Sequence, residues 1–161
     1  MAKSTSWGFT NTSDNTHKTI APTILNEDTE YAIIEDEAGV TVLANLSSPV
    51  DQGERVSIKA QVLDKVTLSN VKNAYPAPVQ QGIQYSIKIE SLLSTTDSAA
   101  PGYRIDEPIC ATLTFKHALS ANITPEHIDT IIKRVLGAIY KADGSSRVAS
   151  LMRLATKPEE N

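Results

Sequence analysis

Arg55–Leu63 reads RVSIKAQVL, and the alternation in this stretch decides the fold. Val56, Ile58, Ala60 and Val62 fall on one side of an extended chain; Ser57, Lys59 and Gln61 fall on the other. A period of two is the signature of a strand with one buried face and one wet face. The pattern returns in residues 84–91, QYSIKIES, where Tyr85, Ile87 and Ile89 alternate with Ser86, Lys88 and Glu90. It returns again in residues 109–115, ICATLTF, with Ile109, Ala111, Leu113 and Phe115 opposite Cys110, Thr112 and Thr114. Three half-buried strands in succession predict an antiparallel meander.

Upstream, Gly39 opens VTVLANL, a further strand over residues 40–46, and SSPVDQGE turns the chain. Residues 26–37, NEDTEYAIIEDE, hold Glu27, Asp28, Glu30, Glu35, Asp36 and Glu37 and no base. They read as a solvated loop or exposed hairpin, with a short strand over residues 30–34. In the first 25 residues, runs at 7–10 and 17–21 flank TSDN and read as a hairpin that Pro22 ends. Residues 64–82 form a long connection in which the prolines of AYPAP prevent ladder pairing. Residues 94–102, STTDSAAPG, read as a flexible loop of small residues.

The period changes after Asn122. Thr124 suits an N-cap and Pro125 the first helical position. Ile128, Ile131, Ile132, Val135, Leu136 and Ile139 then recur at three- and four-residue spacing, which predicts an amphipathic helix of about four turns. Asp143 and Gly144 break it. Ser145 is placed to cap a second, shorter helix carrying Val148, Leu151, Met152 and Leu154. Strands first and helices last define an α+β chain. Two helices are too few to cover a sheet of five or more strands. A homodimer that extends the sheet and exchanges helices would complete the cover.

At 161 residues the chain is read as a single domain, with a hairpin over 1–25, an acidic insertion over 26–38, the sheet over 39–116 and two helices over 122–156. No apolar run is long enough to cross a membrane or to serve as a signal peptide. The single cysteine, Cys110, excludes an intrachain disulfide, which suits a reducing cytoplasm. The net charge of −4 argues against a polyanion partner until the six acids of residues 26–37 are set aside, which leaves +2. Those acids are expected on an outer surface, away from any polyanion. No catalytic constellation is visible: His17, His117 and His127 are scattered, Asp106 and Glu107 read as a loop pair, and there is no phosphate-binding glycine loop. The chain is therefore read as a non-enzyme without cofactor or metal.

The ordered segments TIAP (residues 19–22), Gly39 with its strand, ERVSIKAQV (54–62), QYSIKIE (84–90), ATLTF (111–115) and the capped helix pair resemble the coat proteins of single-stranded RNA bacteriophages of the levivirus type. YSIKIE is the most specific piece. The resemblance spans residues 5–156, with apparent insertions at 26–38 and 65–82. It implies an N-terminal β-hairpin, an antiparallel meander sheet and two C-terminal α-helices exchanged in an intertwined homodimer. It also implies assembly into an icosahedral shell, with the sheet toward the genome. The loop at 94–102 would surround the symmetry axes, with Tyr103 and Arg104 as contacts beside it. A genomic RNA hairpin would bind across the sheet, for packaging and translational repression in the bacterial host cytoplasm. By alignment the pocket residues are Val40, Ser57, Lys59, Ser86 and Lys88, flanked by Arg55, Gln61 and Glu90, with Thr112 on the same polar face. Pro108 stands where well-known members place a stacking Tyr, which removes roughly 1–3 kcal/mol per stacked base. The alternative is a dimeric RNA- or ligand-binding module that uses the same face without forming a shell.

Overall fold

The computed structural model describes residue 7 and residues 21–68, 70–72, 74–75, 79–141 and 143–156. The expected N-terminal hairpin lies outside these residues. Two compact units emerge, Ile24–Ser120 and a second that joins Met1–Thr23 to Ala121–Asn161.

The first unit is a five-stranded antiparallel meander. A one-turn helix, α1 (Glu27–Glu30), leads into β1 (Tyr31–Glu37), β2 (Val40–Asn45), β3 (Arg55–Leu63), β4 (Gly82–Thr96) and β5 (Arg104–Ala118), and each strand pairs with the next. β3 has the bounds its alternation predicts. β4 and β5 are longer than predicted because the ladder between them runs unbroken from Gly82 with Ala118 to Thr96 with Arg104. This places Asp106 and Glu107 inside β5, on opposite faces, rather than in a loop. The acidic segment takes the exposed-hairpin form rather than the loop, and its strand, β1, is longer than the expected 30–34. A bulge between Ile33 and Glu35 adjusts its register. Ala38 and Gly39 turn β1 into β2. Gly39 has φ +81°, and a Cβ there would sit 2.6 Å from the Ala60 carbonyl oxygen, so only glycine fits this crossing.

Register fixes the two faces. Leu43, Val56, Ile89 and Ala111 form one row; Ile58, Ile87 and Leu113 form the next. Tyr31, Leu43 and Val56 are buried, with Leu25, Ile58, Ile87 and Ile89 packed against them. Tyr85 stacks on Phe115 with ring centroids 5.2 Å apart. The Tyr31 hydroxyl donates to Glu54 Oε1 at 2.7 Å, and Asn45 Nδ2 donates to the same oxygen at 3.0 Å. This carboxylate joins the starts of β1 and β3 to the end of β2.

The second unit carries α2 (Pro125–Gly137) and α3 (Val148–Met152). Thr124 is the N-cap of α2, as predicted, and its backbone N–H donates to His127 Nδ1 at 3.0 Å. Trp7 meets the His127 ring edge-on at 5.3 Å. Gly137 ends α2 earlier than the apolar period suggests. Asp143 and Gly144 form a turn, closed by a bridge between Tyr140 and Ser146. α3 starts after Arg147 rather than Ser145; Ser146 Oγ accepts from the Val148 N–H at 3.2 Å. No side chain of α2 or α3 is fully buried.

Candidate nucleic-acid interface

The face opposite the apolar rows is built by the same alternation. Val42, Ser57, Lys88 and Thr112 lie side by side across four strands. The next row is Val40, Lys59, Ser86 and Thr114, and the row on the other side holds Arg55, Glu90 and Cys110. Gln61 and Gln84 pair beyond them, next to Lys116. Thus Val40, Arg55, Ser57, Lys59, Gln61, Ser86, Lys88, Glu90 and Thr112 all fall on one face. They span three adjacent rows and the start of a fourth.

The geometry adds residues that the sequence reading missed. Thr114 Oγ1 lies 3.2 Å from Ser86 Oγ. Around Lys59 and Ser86 the surface dips into an open depression of about 320 Å³, lined by Ala38, Gly39, Val40, Lys59, Ala60, Gln61, Gln84 and Ser86. That is the lower end of the size of small-ligand pockets. Its rim combines an ammonium, two amides and a hydroxyl, which can donate to phosphate or pair with the edges of a base. The Gly39 crossing that forms one wall is held by the Ala60 N–H donating to the Gly39 carbonyl at 2.8 Å.

The cations on this face are not equivalent. Lys88 Nζ is 2.5 Å from Glu90 Oε1. That hydrogen bond raises the Lys88 pKa above its ordinary value. Glu90 also stands directly opposite Arg55 in the ladder. Lys59 is exposed and, among the described residues, its side chain makes no hydrogen bond or ion pair. Toward β1 the sign reverses: Glu35 is level with Val42 and Glu37 with Val40, so both occupy polar-face positions. Two of the six acids of the segment expected on an outer surface thus share the candidate face. The bulge flips the parity of β1 after Ile33, and this shift is invisible without the register. Pro108 shares the polar face, opposite Leu92, near the end of the β4–β5 ladder. Among the described residues no cluster of His, Cys, Asp or Glu could hold a metal ion, and no helix is long and apolar enough to cross a membrane.

The described residues thus form a five-stranded antiparallel meander followed by two helices. Among solved structures, the chain is similar to a chain of the virus-like particle of bacteriophage AVE015, with 19% identity, a TM-score of 0.85 and coverage of 98% of this chain and 99% of that one. A chain of the virus-like particle of bacteriophage GQ-112 shows 12% identity and a TM-score of 0.74, covering 95% of this chain and 97% of that one. No protein-family model and no curated protein matches the chain. The anticipated antiparallel meander followed by C-terminal helices is the architecture observed, and it matches the fold of these neighbours.

Proposed function

We propose that the chain is a structural coat protein, not an enzyme. In this reading it dimerises, assembles into a closed shell and holds single-stranded RNA against the polar face of its sheet. The observation that carries the RNA reading is the convergence of nine residues, chosen from sequence alone, on one face beside an open depression. Two further features support the dimer. Among the described residues β5 is a 15-residue edge strand with one side of its ladder unpaired, whereas β1 at the other edge has seven residues, a bulge and three terminal acids. Long regular edges invite pairing, and short, bulged, charged edges resist it. Pro108 has no N–H to give, so pairing through β5 is strongest over residues 109–118. Apolar residues also remain uncovered: Val135 is 50% exposed, Leu136 40% and Ile109 58%. A second copy whose helices exchange would bury them.

The RNA partner is a genomic hairpin, with packaging and translational repression as the consequences, and the particle is assembled in the bacterial host cytoplasm. Without an aromatic stacker at Pro108, recognition rests on the Lys59 side of the face. Electron microscopy and size exclusion of the purified protein test the assembly, and closed shells are expected. A dimer as the terminal species would favour the non-assembling module instead. Replacing Lys59 and Lys88 together with Ala should lower RNA content while shells still form. Unchanged RNA binding would overturn the proposed face.

A further inference from the structure

The β4–β5 ladder outruns the rest of the sheet. β3 reaches only to Arg55 opposite Glu90; beyond it, six register pairs, from Ser91 with Ile109 to Thr96 with Arg104, have no third strand. At the rise of an antiparallel strand this is an arm about 20 Å long. A two-stranded ribbon is marginal alone and twists freely. Its tip, residues 97–103, is a pair of tight turns: Ala100 N–H donates to the Asp97 carbonyl, Tyr103 N–H donates to the Ala100 carbonyl, and Gly102 has φ +94°. Tyr103 and Ile105 remain about half exposed.

The end of this arm is tied back to the sheet. Arg104 Nε donates to Asp106 Oδ1 at 2.8 Å, and Ser94 Oγ donates to the same oxygen from across the ladder. The other arm of the guanidinium donates to Asp51 Oδ2 and lies 3.5 Å from the Asp51 carbonyl oxygen. Asp51 belongs to the 3-10 turn Val50–Gln52 in the β2–β3 connection. The planar fork of one arginine thus spans two separate chain segments, which a lysine ammonium does not reproduce. The guanidinium holds both carboxyls below their ordinary range, so the group is fully charged at neutral pH.

We propose that Arg104, clasped by Asp51 and Asp106, is a positioning residue. It sets the angle of the β4–β5 arm against the β2–β3 connection, and so the place where the Tyr103 tip meets other copies of this chain. The inference rests on the shell reading above and adds the element that governs shell geometry. An isolated surface ion pair contributes little to folding. Its loss should therefore alter assembly far more than unfolding.

The test compares full-length wild type, Arg104→Ala, Arg104→Lys and Asp51→Asn by electron microscopy, together with the double exchange Arg104→Asp with Asp51→Arg. Arg104→Ala and Asp51→Asn should reduce correctly sized shells at least threefold, or broaden their diameters. Arg104→Lys should fall between them and wild type, and the double exchange should recover shells. The melting temperature of the unassembled species should change little in all of them. Shells of unchanged size and yield from Arg104→Ala and Asp51→Asn would overturn the inference, as would a loss that tracks the melting temperature. Failure of the wild type to form shells would instead remove the coat-protein reading on which it rests.

Discussion

Lys59 and Lys88 lie on adjacent rows of one face, yet they should respond differently to substitution. Lys59 is unpaired among the described residues, whereas Lys88 is 2.5 Å from Glu90. A lysine that neutralises a phosphate displaces counterions, and each such contact to a single strand contributes about −0.7 to the slope of log K against log salt. Replacing Lys59 with Ala should therefore flatten the slope by about 0.7. Between about 50 and about 200 mM salt, wild type should lose about 2.6-fold more affinity than this variant. Lys88 already has an anion, so Lys88→Ala should change the slope by less than half as much. Glu90→Gln releases Lys88 and should act in the opposite sense, steepening the slope by up to about 0.7. Titration of a short labelled single-stranded RNA across a salt series reads all three. Equal flattening by the two lysine variants, or an unchanged slope with Glu90→Gln, would refute the assignment of free and engaged cations.

Tyr31→Phe removes the hydroxyl bonded to Glu54. The Tyr31 phenol is pushed up from 10.0 to about 12, chiefly by that bond. A hydrogen bond to a charged group contributes about 1.5–3 kcal/mol, and at this partly open carboxylate the loss should fall near the lower end in chemical denaturation. The same group gives wild type an alkaline limb, with its stabilisation complete below pH 10 and lost as the pH rises through about 12. Glu54, held below the ordinary carboxylate range by Asn45 and then Tyr31, gives an acid limb, with stabilisation present above that range and lost as pH falls through its lowered value. A Tyr31→Phe profile that retains the alkaline limb would refute the pairing. Gly39→Ala forces a Cβ to 2.6 Å from the Ala60 carbonyl at φ +81°; the conformation alone costs about 1–2 kcal/mol, and thermal unfolding should show at least that loss. Glu35→Lys with Glu37→Lys should steepen the RNA salt slope, whereas Glu27→Lys with Asp28→Lys, an equal charge change in α1, should not. Identical slopes would mean that net charge, rather than position on the face, governs binding.

What could be read from the sequence follows from which signals are local. β3 was legible to the residue because its alternation is complete from Arg55 to Leu63 and turns bound it on both sides. β4 and β5 were cut short because LLSTT and RIDEP do not alternate cleanly, and only the mutual ladder carries them on as strands. β1 was obscured by its acids. An edge strand tolerates charge because one side of its backbone and much of its surface stay in water. The nine candidate residues were chosen by parity, which is local to each strand, and by the resemblance, and the register puts them on one face. Gln84 and Thr114 have the same parity and were legible in principle. Gly39, Glu35 and Glu37 were not, because their place on the face depends on a turn that crosses β3 and on the bulge at Ile33 and Glu35. Similarly, the Arg104 clasp joins residues 53 positions apart, and no pattern in the chain marks that pair.

The sign change across the polar face and the contrast between the two sheet edges follow from the same strand order. Three acids lie in β1, Lys59 sits on β3 with no ion pair among the described residues, and β4 and β5 carry hydroxyls, Lys88 and Lys116, with Glu90 and Asp106 further along the same face. Neighbouring strands are about 4.8 Å apart, so Lys59 lies about 10 Å from Glu37 on one side and about 10 Å from β5 on the other. Both distances are within about one Debye length at moderate salt, so a phosphate near Lys59 is repelled by β1 and meets no acid level with it toward β5. Two copies joined at β5 would make a ten-stranded surface with β1 at each outer end and the Lys116 of each copy on the strands beside the two-fold axis. An alternative dimer through β1 would bring the two acidic strands together and send the cationic bands to opposite rims. In the proposed dimer, repulsion between the two acidic strands thus disfavours pairing through β1, as its short, bulged ladder does.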